Sequence, residues 1–227
     1  MGNLVAILPP YQAGFRRSAA QEQFAGPDED FLRTLGLRMN IVRAHEPDLA
    51  RVEELTLRTS QMNATGVHYS LETLRRLCAD PEHDVLMATL EDTFGTHGAI
   101  GILLVERPNA EVWRLKLLAT SCRVVSLGAG AAIINWLIDQ AAQAGVHLLA
   151  DFRRTERNRM LEVAYRFSGF TDEACACSAN VHFADDVEIA HDVEGLELLH
   201  LAPVRQAPPA VIEISAPDLG RIVADRP

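Results

Sequence analysis

A strand that runs into a glycine-rich turn and then into a helix makes an anion site, and 118-LATSCRVVSLGAGAAIINWL-137 reads in that order. The exposed N–H groups of such a turn point outward, small residues admit a ligand to the backbone, and the helix dipole adds roughly half a positive charge. A pyrophosphate fits that description, held across Arg123, Ser126, Leu127, Gly128, Ala129 and Gly130. The spacing lacks the Gly-x-Gly-x-x-Gly of a dinucleotide fold and the Lys-Ser/Thr of a P-loop. A tight strand-to-helix connection with glycine for packing explains the same residues equally well, because such turns recur across α/β units. Cys122 carries a second option. A thiol beside Arg123 and a helix N-terminus is acidified toward the thiolate, against the simpler reading of a small residue packed in a strand.

A further constellation lies in 158-NRMLEVAYRFSGF-170, where Asn158 opens a helix and Tyr165 sits four residues before Gly169. Tyrosine and thiol have reference pKa values of about 10 and about 8.5, so a phenol here can protonate a freshly released thiolate. A core aromatic at helical spacing reads as well. His68, in a polar loop, has a reference pKa of about 6.5 that suits a general base, though a lone loop histidine more often caps or is solvated. His97, in a turn with Gly95 and Gly98, is a weaker candidate of the same kind, and Glu91, Asp92 and Glu106 are further carboxylates that the sequence does not rank. Cys175 and Cys177 form a close pair, but no second pair or histidine cluster in the sequence completes a tetrahedral site, so no metal is expected.

These residues need a scaffold. LRMNIVRA (37–44) alternates as a strand, and Pro47-Asp48 opens a helix with apolar Leu49, Val52, Leu55 and Leu57. Ser70 caps a second helix carrying Leu71, Leu74 and Leu77. DVLMATLED and GAIGILLVER read as antiparallel neighbours, followed by a long strand EVWRLKLLATSCRV, the helix AAIINWLIDQAAQAG, the buried strand VHLLADF, a helix to Gly169, and closing strands VHFADDVEIA and LELLHLAPV. The order predicts a mixed, mostly antiparallel α/β sheet flanked by helices, with a right-handed crossover at its centre. Residues 1–36 read as a lead-in, 37–203 as the domain and 204–227 as an extended tail.

With 227 residues, 48% of them hydrophobic, one buried core is expected. A net charge of −10 disfavours nucleic acid and anionic lipid. No stretch reads as a membrane span or a secretory signal, which favours the cytoplasm. Within this acidic chain Arg153, Arg154, Arg157 and Arg159 form a local basic patch, either a solvated helix start or a landing site for phosphate or an acidic partner.

Taken together, 123-RVVSLG-128 and 158-NRMLEVAYRFSGF-170 resemble the Gcn5-related N-acetyltransferase (GNAT) superfamily across about residues 37–200, with Ser126 where the superfamily's pyrophosphate loop has its first glycine. The stretches 53-EELTLRTSQMNATGVHYS-70, 119-ATSCRVVSLGAG-130 and 151-DFRRTERNRMLEVAYRFSGF-170 resemble more closely the C-terminal half of FkbH-like proteins, which load glycerate-derived units onto acyl carrier proteins in polyketide pathways. The N-terminal phosphatase-like (HAD-like) domain of that family, with its Asp-x-Asp motif, has no counterpart here, so a separate partner would have to supply it. The resemblance implies an acyl-CoA or carrier-protein thioester as donor and an amine, hydroxyl or thiol acceptor. It implies pantetheine pairing with the strand at Cys122 and Val124, a donor contact from Asn158, and Tyr165 as general acid. It also implies an acceptor wall at Gln61, Asn63, Thr65 and His68, with the arginine patch docking an acidic carrier or the 3′-phosphate of coenzyme A. A non-catalytic carrier-binding domain and a thioester decarboxylase or hydrolase on the same fold stay open beside the acyltransferase.

Overall fold

The computed structural model describes residues 10–59, 61–179, 181, 183 and 194–220. Two helices, α1 (Pro10–Gln23) and α2 (Asp28–Thr34), precede β1 (Leu37–Arg43). There follow α3 (Leu49–Arg58), α4 (Leu71–Ala79), β2 (His83–Asp92), β3 (Gly95–Asn109), β4 (Val112–Thr120), α5 (Ala129–Ala144), β5 (His147–Arg153), α6 (Arg159–Phe167), β6 (Leu196–Leu201) and β7 (Ile212–Ser215). The strands form one sheet in the order β6-β5-β4-β3-β2-β1-β7. Pairing is antiparallel except for β4 with β5 and β1 with β7.

All nine residues of β4 are buried, as a central strand covered on both faces requires. One face carries Leu103, Val105, Leu115 and Leu118 against Ile133, Ile134, Leu137 and Ile138 of α5 and Leu161 of α6. The other carries Ile102, Leu104, Leu117 and Ala119 against Val52 and Leu55 of α3 and Leu74 and Leu77 of α4. Ser70 caps α4 as expected, accepting the Thr73 N–H at 3.2 Å, and Gly145 ends α5 at φ 71°. Among the described residues no helix is long and apolar enough to cross a membrane.

The ends of the chain hold more structure than the sequence reading gave them. The lead-in contributes α1, whose Ala13 packs beside Gly95, and the extended tail contributes β7 at the far edge of the sheet. The hairpin turn is Thr93-Phe94, so His97 stands in β3 rather than in the turn. Most of VHFADDVEIA lies outside the described residues.

The buried Asp92 side chain fastens α1 to this hairpin, accepting from Arg17, from His97 Nε2 at 3.0 Å and from the Phe94 N–H at 2.8 Å. Burial alone would raise its pKa, but those hydrogen bonds hold it well below the usual carboxylate range. A carboxylate depressed in the folded state contributes stability above its unfolded pKa of about 3.9 and loses it as pH falls further. Asp92→Asn is therefore expected to cost about 2 kcal/mol at neutral pH. In urea titrations its gap from the wild type should narrow below about pH 4; a gap independent of pH would mean that charge is not what binds α1.

Candidate functional site

The parallel pairing of β4 with β5 lasts only from Val112 to Leu115, opposite His147 to Ala150. Beyond it Leu104 faces Leu117 while Val105 faces Leu115, which makes Lys116 the extra residue of a β-bulge. A bulge bends its strand and sharpens the local twist, and here it coincides with the divergence of β4 from β5. The opened V is filled by the chain itself. Ala64 N–H donates to the Leu118 carbonyl at 2.9 Å, Thr120 N–H to Met62 at 2.8 Å, and Arg153 N–H of β5 to Ala64 at 2.9 Å. Asn63 thus bridges to Ala119 as a one-residue added strand.

Two asparagines lock this insert. Asn158, 1% exposed, donates from Nδ2 to the carbonyls of Asn63 (3.2 Å), Ala64 (3.3 Å) and Arg153 (2.8 Å), while its Oδ1 accepts the Thr155 N–H at 3.0 Å. Asn63 Oδ1 accepts the N–H groups of Thr65 (3.0 Å) and Gly66 (2.8 Å). The amides of Asn63 and Asn158 are thus turned onto the backbone, and Thr65 is buried beside them.

At the end of β4 the chain leaves the sheet. Ser121 Oγ accepts the Arg123 N–H at 3.4 Å and receives Arg123 Nε at 3.3 Å, and Cys122–Leu127 coil into a 3₁₀ helix. This corrects the expected strand through Cys122 and Val124: neither offers a strand edge, Cys122 being exposed and Val124 buried. Gly128, at φ 73°, turns the 3₁₀ helix into α5 and is exposed, as are Arg123 and Ser126, whereas Leu127 and Ala129 face the core. The first N–H groups of α5 have no acceptor within the helix, so the turn retains the donors an anion needs.

Two clefts meet at Arg123. One, of about 590 Å³, is lined by Arg51, Glu54, Gln61, Ser121 and Cys122 among others. The other, of about 400 Å³, runs between α1 and the loop past Arg17, Gln21, His97 and Ser126. A larger groove of about 830 Å³ beside Trp136 and the 206–214 segment shares no lining residue with either. Glu54, which the sequence reading passed over, brings a carboxylate into the first cleft, paired with Arg51 at 2.5 Å. Its place on α3, turned toward the loop rather than the core, is the signal that helical periodicity alone could have offered.

The other candidates are dispersed. His68 Nδ1 meets Thr56 Oγ1 at 2.9 Å and its Nε2 stands 3.9 Å from Glu53, outside the cleft lined by Glu54. Glu91 pairs with Arg38 at 3.0 Å, and Glu106 with Arg114, which grips Asp151 through two 2.8 Å hydrogen bonds. Tyr165 is fully buried between Phe152 and Phe170, with no hydrogen-bond partner for its hydroxyl among the described residues. Burial, and secondarily the nearby Asp151 charge, pushes its pKa above the ordinary phenol value. In the basic patch Arg154 pairs with Glu162 at 2.8 Å, and Arg157 and Arg159 are exposed.

The sequence shows no histidine cluster near the cysteine pair, but the fold brings two histidines beside it. Cys175 and Cys177 do have histidine neighbours: the donor atoms of His147, Cys175, Cys177 and His200 all lie within 4.8 Å of one another.

The sheet order, the bulged and splayed central strands and the loop opening α5 define the Gcn5-related acetyltransferase fold. No protein-family model matches the chain, and no curated protein matches it in sequence. Solved structures do match in shape. Tetrahymena GCN5 superposes with a TM-score of 0.51 at 14% identity, over 75% of this chain and 99% of that one. A domain from Methanocaldococcus jannaschii gives 0.54 at 10%, over 73% and 98%. Rv2747 from Mycobacterium tuberculosis, solved in complex with CoA and NLQ, gives 0.50 at 14%, over 72% and 99%. Likeness at such low identity carries the fold and leaves the activity to the site.

Proposed function

We propose that the chain is an acyltransferase that takes its acyl group from a coenzyme A thioester and passes it to an amine, hydroxyl or thiol acceptor. The carrying observation is the turn from Ser126 to Gly130, exposed at Ser126 and Gly128 and opening α5 where β4 ends, with Arg123 and Arg17 on the adjoining cleft. In this reading the first-turn N–H groups of α5, from Ala129 and Gly130, hold the pyrophosphate where it lies against Ser126 and Gly128, the Gly128 N–H itself being donated to the Val125 carbonyl, and Arg123 neutralises it. The thioester supplies the activated acyl carbon. Gln61 and Cys122 border the cleft that receives the acceptor and Glu54 takes the acceptor's proton; Tyr165, which lines neither cleft, returns one to the departing thiolate once the packing around it opens. His68 remains an alternative base, and Asn63, Thr65 and Asn158 shape the wall.

The FkbH-like resemblance extends this proposal to a polyketide or related secondary pathway, with an acyl carrier protein as donor and a separate HAD-like partner. Exposed Arg157 and Arg159 support docking of an acidic carrier. A second reading, a carrier-binding domain without chemistry, is favoured by one observation: residues 62–64 occupy the V between β4 and β5, with Tyr165 sealed in the core.

Calorimetric titration with acetyl-CoA and with a phosphopantetheinylated carrier protein separates the two. Binding of acetyl-CoA supports the acyltransferase, binding of the carrier alone supports the holder, and binding of neither removes the donor site from Ser126 to Gly130. Tyr165→Phe adds a kinetic test. Because the buried hydroxyl has no partner, its removal should leave stability unchanged or raised. If Tyr165 is the acid, kcat in an acyl-transfer assay should fall about 100-fold or more with little change in KM. Unchanged kcat would take Tyr165 out of the mechanism.

A further inference from the structure

The His147–His200 cluster sits away from the loop and shares no residue with either cleft at Arg123. His147 is the first residue of β5. Leu149 is in register with His200 of β6, so His147, two residues before Leu149, presents its ring on the same face as His200. Its Nδ1 stands 2.9 Å from His200 Nε2. The chain after α6 then returns along β6, the edge strand: Thr171 N–H donates to the His200 carbonyl at 2.9 Å, and His200 N–H to Thr171 at 2.8 Å. Four residues further on, a short 3₁₀ turn at Ala176–Ser178 delivers both cysteines. Cys175 Sγ is 3.5 Å from His147 Nδ1 and accepts the Cys177 N–H at 3.5 Å, while Ser178 Oγ donates to the Cys175 carbonyl at 2.8 Å. The floor is apolar, formed by Val112, Leu149 and Val181 with Leu198 and Cys177 packed on it.

We propose that Cys175, Cys177, His147 and His200 form a structural zinc(II) site that staples the 171–178 segment over the edge of the sheet.

Tetrahedral zinc with Zn–S of about 2.3 Å and Zn–N of about 2.0–2.1 Å sets neighbouring donor atoms roughly 3.3–3.8 Å apart. The observed separations of 2.9 and 3.5 Å, inside a cluster spanning no more than 4.8 Å, need shifts of only a few tenths of an ångström to about 1 Å to reach that geometry. Two sulfurs and two imidazole nitrogens in tetrahedral array suit zinc rather than the oxygen-seeking magnesium or calcium. Four protein donors leave no open position for water or substrate, so the site is structural rather than catalytic. Binding converts both thiols to thiolates and releases two protons to solvent, while the imidazoles bind neutral. The Cys177 N–H already directed at Cys175 Sγ would stabilise the sulfur charge once formed, as outer-shell donors do. The reward for the fold is local: β6 would otherwise expose its outer edge, and a segment pinned across it blocks pairing with another chain.

The test uses the full chain under reducing conditions, so that a Cys175–Cys177 disulfide cannot compete. Zinc content by mass spectrometry should approach one ion per chain after dialysis. The metal-free protein titrated with cobalt(II) should give tetrahedral d–d bands with thiolate-to-cobalt charge transfer, and zinc should bleach them. Cys175→Ser with Cys177→Ser, or His200→Ala, should weaken zinc binding at least about 100-fold, whereas Cys78→Ser with Cys122→Ser should leave it unchanged. If the first variants fail to fold, the cobalt spectrum of the wild type and the second pair of variants decide. Zinc far below stoichiometric in the folded wild type, a cobalt spectrum without thiolate bands, or binding lost with Cys78 and Cys122 would each overturn the proposal.

Discussion

Gly128→Glu is expected to lower affinity for acetyl-CoA at least about 100-fold while the protein still folds. A side chain at φ 73° costs about 1–2 kcal/mol, because only glycine enters the left-handed region freely. No further clash follows, since a Cβ built on Gly128 meets nothing within 4 Å among the described residues. The effect on binding is electrostatic. A carboxylate at the first turn of α5 consumes the helix's positive end and faces the anion it should receive. Two unit charges 4 Å apart interact by about 4 kcal/mol at an effective dielectric of 20, more than the roughly 2.7 kcal/mol that a 100-fold loss requires. Gly128→Asn separates strain from charge, because asparagine tolerates this backbone and adds no charge; it should bind within a few-fold of wild type. Melting temperatures of both variants measure the backbone cost, and calorimetry measures binding. Normal acetyl-CoA binding by a folded Gly128→Glu protein would remove the pyrophosphate from this turn.

What the sequence made legible was local, and what it hid was brought together by the sheet. Ser70, Gly145 and Gly169 punctuate helices where their chemistry says they should, and the hydrophobic runs 84–92, 98–107 and, but for Val146, 146–152 fall within strands of the observed sheet. The strand reading failed at Cys122–Val124 because a β-branched valine favours extended backbone, while Ser121 capping the turn and the left-handed Gly128 won locally. β7 escaped notice because its four residues follow a proline-rich stretch and earn their place by pairing with β1, more than 170 residues earlier in the chain. The insert at 62–64 is equally invisible: nothing in QMNAT shows that its backbone will bridge β4 and β5. His147 and His200, 53 residues apart, become neighbours only through the β5–β6 register. The candidate loop was readable because all of its parts are consecutive; the cluster was not, because its ligands come from three segments.

The same logic makes Asn158 the sharpest test of the V. In a buried site its two amide hydrogens reach three carbonyls, one of them shared, and its oxygen accepts one N–H. Asn158→Ala is expected to destabilise the fold by about 3 kcal/mol, the scale for stranding buried polar backbone groups. Asn158→Asp should be worse, although it nearly preserves shape and retains the acceptor for Thr155: it replaces a donor by a carboxylate oxygen facing the carbonyls of Asn63, Ala64 and Arg153. Denaturant unfolding should therefore rank wild type above Ala and Ala above Asp, whereas a role confined to filling space would put Asp close to wild type. Acetyl-CoA affinity of the folded fraction supplies the second axis. With its amide turned inward, Asn158→Ala should bind the donor nearly as wild type does. Affinity lost at unchanged stability would instead make Asn158 a donor contact, and the hydrogen bonds holding residues 62–64 in place would then have to exchange on binding.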